Sequence, residues 1–130
     1  MMLLSPKSLQ LILQETCQEG IHSAVLFTRE GNVLSSLIQS QDEGTASAAI
    51  ASHLWDKVSA SDSRIETLLL SGDKGWTALA RTADQFVLCL LADPDTESGL
   101  LHARLLSTVA LLEEPLRSVT LQGIAPSSNL

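Results

Sequence analysis

Tyrosine is absent, and Trp and Phe contribute 2 residues each, so aromatics make up only 3% of the chain. That removes the stacking platforms on which single-stranded nucleic acids are held. Cations are scarce too, with 8 Lys and Arg against 15 Asp and Glu and a net charge of −7. No two basic residues adjoin. Phosphate backbones and anionic bilayers both draw their partners through clustered positive charge. The sequence therefore predicts no nucleic-acid partner and no direct membrane insertion. The 2 cysteines, Cys17 and Cys89, lie inside apolar stretches and make no disulfide framework. They read as small buried hydrophobes in a reducing compartment.

No apolar run approaches the ~20 residues of a membrane span. Met1-Met2-Leu3-Leu4 gives way at once to Ser5-Pro6, too short a stretch for a signal-peptide core. Neither a myristoylation start nor a C-terminal prenylation box is present. The expectation is a soluble cytosolic chain.

Catalytic patterns are missing as well. There is no phosphate-binding loop and no nucleophile elbow; Gly72-Asp73-Lys74-Gly75 reads as a turn. His22, His53 and His102 lack the partner spacing of a metal site. Glu113 and Glu114 are neighbours on a helix and point ~100° apart, so they do not converge on one proton. The expectation is a chain without catalytic residues, cofactor or metal.

What is present is a globular composition: 130 residues, 45% of them hydrophobic, which suits one core. A single domain is expected over 1–122, with 123–130 a flexible tail. Ser5-Pro6 opens a helix, and Leu9, Ile12, Leu13 and Cys17 share one of its faces before Gly20 stops it. Ile21 to Thr28 and Val33 to Ile38 flank a Gly/Asn turn and form a hairpin. Gln39 to Gly44 is read as a loop before a second helix from Thr45 to Ser59. Ile65 to Ser71, Trp76 to Thr82 and Phe86 to Ala92 are three consecutive strands. The unbroken apolar run Phe86 to Leu91 predicts a strand covered on both faces. After the acidic loop Asp93 to Gly99 comes a long third helix, from Leu100 to about Leu121, which Pro115 should kink or end.

The order α-β-β-α-β-β-β-α with hairpin-length turns specifies an α/β (α+β) domain. Its five-stranded antiparallel sheet carries two helices on one face and one on the other. The second helix is the informative element. Ala46, Ala48, Ala49, Ile50, Ala51, Leu54, Trp55 and Val58 cover an arc of roughly 260° at 100° per residue. A surface helix needs a stripe little wider than ~100°. Either the helix is deeply buried within its own domain, or a partner covers its outer side; five strands are wider than one helix can cover, which favours the partner.

The same order, with the Glu30-Gly31 hairpin, resembles the roadblock/dynein-light-chain family. Ala48-Ala49-Ile50-Ala51-Ser52-His53-Leu54-Trp55 and Leu111-Leu112-Glu113-Glu114-Pro115-Leu116 are similar to the late endosomal/lysosomal adaptor branch of that family, whose subunit pairs with the MAP-kinase scaffold protein in the Ragulator complex. The resemblance implies a non-catalytic scaffold that heterodimerises with a roadblock-type partner through the second helix and the third strand, making one sheet across two chains. Carried over, it places Ala48, Ala49, Ser52, His53, Trp55, Asp56, Ile65, Thr67 and Leu69 at the partner interface. It further implies other Ragulator-like subunits, one of them lipid-anchored, and Rag-type GTPases held at the late endosome, lysosome or vacuole for TOR-complex and MAP-kinase signalling. Another roadblock protein, a dynein light chain or a regulator of a small GTPase, is the alternative.

Overall fold

The computed structural model describes residues 6–38, 41–62 and 64–121, and the side chains of 7–38, 49–62 and 64–117. Its elements are α1 (Pro6–Thr16), β1 (Ile21–Thr28), β2 (Val33–Ile38), α2 (Gln41–Ser61), β3 (Thr67–Gly72), β4 (Gly75–Thr82), β5 (Phe86–Ala92) and α3 (Ser98–Leu121). The strands form one sheet in the order β2-β1-β5-β4-β3, every neighbouring pair antiparallel.

β5 is the central strand, and all of its residues are buried. Its side chains alternate between two cores, as the pleat requires. Leu88 and Leu90 join Leu9 and Leu13 of α1 and Leu101, Leu105, Leu112 and Leu116 of α3. Val87, Cys89 and Leu91 join Ala51 and Trp55 of α2. The arrangement of two helices on one face and one on the other is thus the one expected. Each fully buried leucine contributes about 1.5–3 kcal/mol through its removal from water, and α3 alone places four of them in the first core.

The turns are tight. At the α1–β1 corner Glu19 and Gly20 take φ of 53° and 97°, and a Cβ on Gly20 would run into the Thr96 hydroxyl. Across the β4–β5 hairpin, Ala83 and Asp84 both have positive φ, 51° and 65°, which matches the right-handed twist of the flanking strands. Glu113 of α3 holds that turn: its Oε2 accepts the Ala83 amide proton at 3.1 Å, and its Oε1 accepts from Arg117 at 2.9 Å. Glu113 is therefore half-buried and structural rather than part of a solvated face.

The structure differs from expectation at the starts of α2 and β3. α2 begins at Gln41, not Thr45. One internal glycine, Gly44, costs about 1 kcal/mol, and acids at positions 42 and 43 favour a helix start there, where amides are exposed. α3 reaches Leu121, the bound expected of it, and continues through Pro115. The missing amide leaves the carbonyl four residues back unbonded, at Leu111, whose side chain is 57% exposed. Buried Leu112 and Leu116 anchor the turn on each side of it. β3 starts at Thr67, not Ile65, because the Asp62 carboxylate accepts the Arg64 amide proton at 3.0 Å and the Asp62 carbonyl accepts from Ile65 at 3.2 Å. Those bonds make a turn of residues 62–65. Ser5, the loop at 39–40 and the tail 123–130 lie outside the described residues.

Candidate partner-binding surface

α2 has 21 residues and crosses the sheet alone. Its inner side is set by Ala51 and Trp55, four residues apart and hence on one face, with Trp55 only 3% exposed. Leu54 and Val58 are half-buried beside them. The outer side is different: Ala49 is exposed, and Ile50 is 68% exposed. The wide apolar arc is therefore not consumed within the chain. Its outer part faces water, where an apolar patch is unfavourable unless something covers it.

β3 is an edge of the sheet, and among the described residues it pairs only with β4. Leu68 packs into the α2-side core and Leu69 against the α1–α3 core, so the strand is apolar on both faces and open along one side. The opposite edge is managed otherwise. Gln10 of α1 donates from Nε2 to the Ser36 carbonyl of β2 at 3.2 Å and accepts from the Ser35 hydroxyl at 3.1 Å. An open, apolar edge strand is a template for another strand.

The structure separates the residues that the sequence grouped. Ala49, Ser52, His53 and Asp56 share one flank of α2 and line an open concavity of about 650 Å³ with Arg29, Glu30 and Gln85 from the strand turns. Trp55 is in the core, not on a surface. Ile65 packs toward the α2-side core, whereas Leu69 lies on the other face of the sheet; Thr67, two residues before Leu69 on β3, shares its face. The side chain of Ala48 lies outside the described residues. Sequence reasoning assigned no interface role to Ile50, Leu68, Arg29 or Glu30. Ile50 was readable as the largest apolar residue on the outer arc. The others depend on how the hairpin and β3 dock.

Chemistry is sparse on this surface. Among the described residues no group of His, Cys, Asp and Glu is placed to hold a metal. Burial pushes the Cys89 thiol up to about 12 and the half-buried Cys17 thiol up to about 11, so both stay protonated and poorly nucleophilic at neutral pH. Arg64, through its guanidinium and its amide, holds the exposed Asp62 carboxyl below its ordinary value, which fixes the turn into β3. No described helix is long and apolar enough to cross a membrane.

The sequence matches the Roadblock/LC7 domain family over residues 9–92. It is 29% identical over 124 residues to the Ragulator complex protein LAMTOR2 homolog of Caenorhabditis elegans, covering 91% of this chain and 97% of that protein. Among solved structures, Myxococcus xanthus MglB superposes with a TM-score of 0.79 at 16% identity, covering 92% of this chain and 95% of that one. A Roadblock/LC7 domain from Streptomyces avermitilis superposes with a TM-score of 0.72 at 19% identity, over 82% of this chain and 96% of that one.

Proposed function

This chain belongs to the Roadblock/LC7 domain family, and from that premise we propose that it is a non-catalytic adaptor subunit of a Ragulator-like complex. It pairs with a second roadblock protein. The observation that carries this reading is Ile50, 68% exposed beside exposed Ala49 on a helix whose inner side already serves the core. The partner's second helix covers that ridge, with Ala48, Ala49, Ser52, His53 and Asp56 around it and Trp55 as the buried post beneath. With Ile65 in the turn just before it, β3 adds the partner's strand along Thr67 and Leu69, which joins the two sheets into one.

The likeness to the nematode Ragulator protein supports the wider role. The pair, recruited by a lipid-anchored subunit, presents a platform for Rag-type GTPases on the cytoplasmic side of the late endosome, lysosome or vacuole, in TOR-complex and MAP-kinase signalling. Its action is positional: holding partners together raises their effective concentration without any bond being made or broken.

Light scattering after co-expression with a roadblock scaffold of the MAP-kinase-scaffold type tests the pairing. A one-to-one complex is expected, and Ile50→Arg should abolish it. A stable monomer that ignores the partner would sink the reading. A homodimer that binds a small GTPase without any roadblock partner would favour the regulator alternative.

A further inference from the structure

Two exposed leucines stand on the outer side of the α1–α3 layer, which covers the face of the sheet opposite α2. The two helices run antiparallel. Thr16 meets Thr108, hydroxyl to hydroxyl at 2.9 Å, and Glu19, further along the chain, pairs with Arg104, which comes before Thr108. Leu11 lies about 160° around α1 from buried Leu9 and Leu13, so it points away from the sheet. Leu111 follows Arg104 by seven positions, about 20° away around α3, and so sits on the flank that faces α1. Leu11 is 53% exposed and Leu111 is 57% exposed, with half-buried Ile12 and Pro115 next to them along the helices. A partner added to β3 leaves this ridge free. α1 lies toward β2, where Gln10 bonds Ser35 and Ser36. β2 and β3 are the two ends of the strand order, roughly 19 Å apart at ~4.8 Å per strand spacing. A partner helix on α2 is on the other side of the sheet.

We propose that the ridge between α1 and α3 docks a basic amphipathic helix of another protein, which sets an aliphatic stripe on Leu11 and Leu111 and lays Lys or Arg side chains on Glu15 and Glu114. The backbone argues for a helix. α1 and α3 spend their amides and carbonyls within themselves, so an extended segment laid on them would leave its own groups unpaired against apolar side chains. A helix satisfies them internally and seats on a helix pair at the ~8–10 Å spacing of packed helices. Charge argues for the basic flanks. Glu15 stands one turn beyond Leu11 and Glu114 one turn beyond Leu111, both exposed, and neither has an ion pair among the described residues. Because the helices are antiparallel, the two acids bracket the apolar pair. Arg104 is held by Glu19, and Lys7, one turn before Leu11, stands against both carboxylates on a chain of net charge −7. Opposite charge around an apolar anchor speeds encounter and fixes register. The same carboxylates repel an anionic bilayer, so the occupant is a protein helix and not a lipid surface.

The test is selection of a phage-displayed library of amphipathic helical peptides on the purified chain, followed by fluorescence anisotropy and circular dichroism of the enriched peptides. The expected consensus is an aliphatic stripe at helical spacing flanked by Lys or Arg, and the peptides should gain helical signal on binding. Leu11→Gln and Leu111→Gln should each weaken binding roughly tenfold, the loss of one buried leucine contact, and Glu15→Gln and Glu114→Gln about threefold. All four residues are exposed and glutamine is a good helix former, so folding is expected to survive, and circular dichroism of the chain alone checks it. No enrichment, an acidic consensus, peptides that bind without gaining helix, or affinities unmoved by the leucine variants would overturn the proposal. So would binding of the chain to phosphatidylserine vesicles that Leu11→Gln and Leu111→Gln abolish. Ile50→Arg and added roadblock partner should both leave peptide affinity unchanged, so this ridge holds or fails independently of the pairing; peptides displaced by that partner would belong to α2 or β3 and overturn the assignment.

Discussion

The two faces of the sheet share the same central strand and are finished differently. One is roofed by α1 and α3, with Leu9, Leu13, Leu101, Leu105, Leu112 and Leu116 all inside. The other has α2 alone, which among the described residues lends it Ala51 and Trp55 as buried side chains. Leucines on two helices fill space and leave the first face closed. Alanines on one helix bring backbones close but cover little, and the second face keeps an exposed isoleucine, an open strand edge and an apolar cavity. The edges follow the same division: Gln10 of α1 satisfies groups of β2, whereas β3 bears no such cover among the described residues. The first face holds the larger core, and the second keeps the surface proposed for roadblock pairing.

Substitutions that test this division should differ sharply. Leu112→Ala, in the closed face, should cost about 3 kcal/mol, since a truncated core leucine loses both transfer energy and packing; urea denaturation measures it. Ile50→Arg should leave the unfolding midpoint of the isolated chain nearly unchanged, because a surface change of this kind stays within about 0.5 kcal/mol, while the complex with a roadblock partner is lost in light scattering. Equal effects of the two on chain stability would break the comparison.

A smaller effect comes from the thiols. Cys89 has its folded-state pKa raised from 9.0 to about 12 by burial. Its contribution to stability is fully present below 9.0 and is lost as pH climbs through that window, because the unfolded thiol ionises first. Unfolding midpoints should therefore fall above pH 9, and Cys89→Ala should flatten that decline. The smallest expected change is at the β4–β5 turn, where Asp84 has φ of 65° and is exposed. Asp84→Gly should stabilise by a few tenths of a kcal/mol, since glycine adopts positive φ without strain, offset in part by the lost 3.8 Å contact with Arg117.

Much of the fold was legible. β1, β2 and β5 lie within the bounds read from their apolar runs and turn residues, because hairpins are local and their signals adjoin in the chain. The start of α2 was not, since a glycine and acids read equally as loop or as first turn. Pro115 left open whether the helix kinks or ends there, because the rule counts the lost bond and cannot see that buried Leu112 and Leu116 hold the helix on either side of it. In the surface, the outer arc of α2 was legible from spacing alone. That arc left the direction of Trp55 open, because an apolar residue on a doubly apolar helix can point either way, and only its place in one core with Val87 and Leu91 decides it.

By itself the sequence determined the element order, the absence of catalytic patterns and the excess of apolar surface on α2. Each follows from periodicity, residue type or count within a short window. Tertiary structure alone decided that Gln10 of α1 satisfies Ser35 and Ser36 of β2, that Glu113 caps a turn thirty residues away, and that Val33 and Ala49 line one apolar cavity. These pairings join residues far apart in the chain, and only the register of the strands and the packing of helices on them bring such residues within a few ångströms.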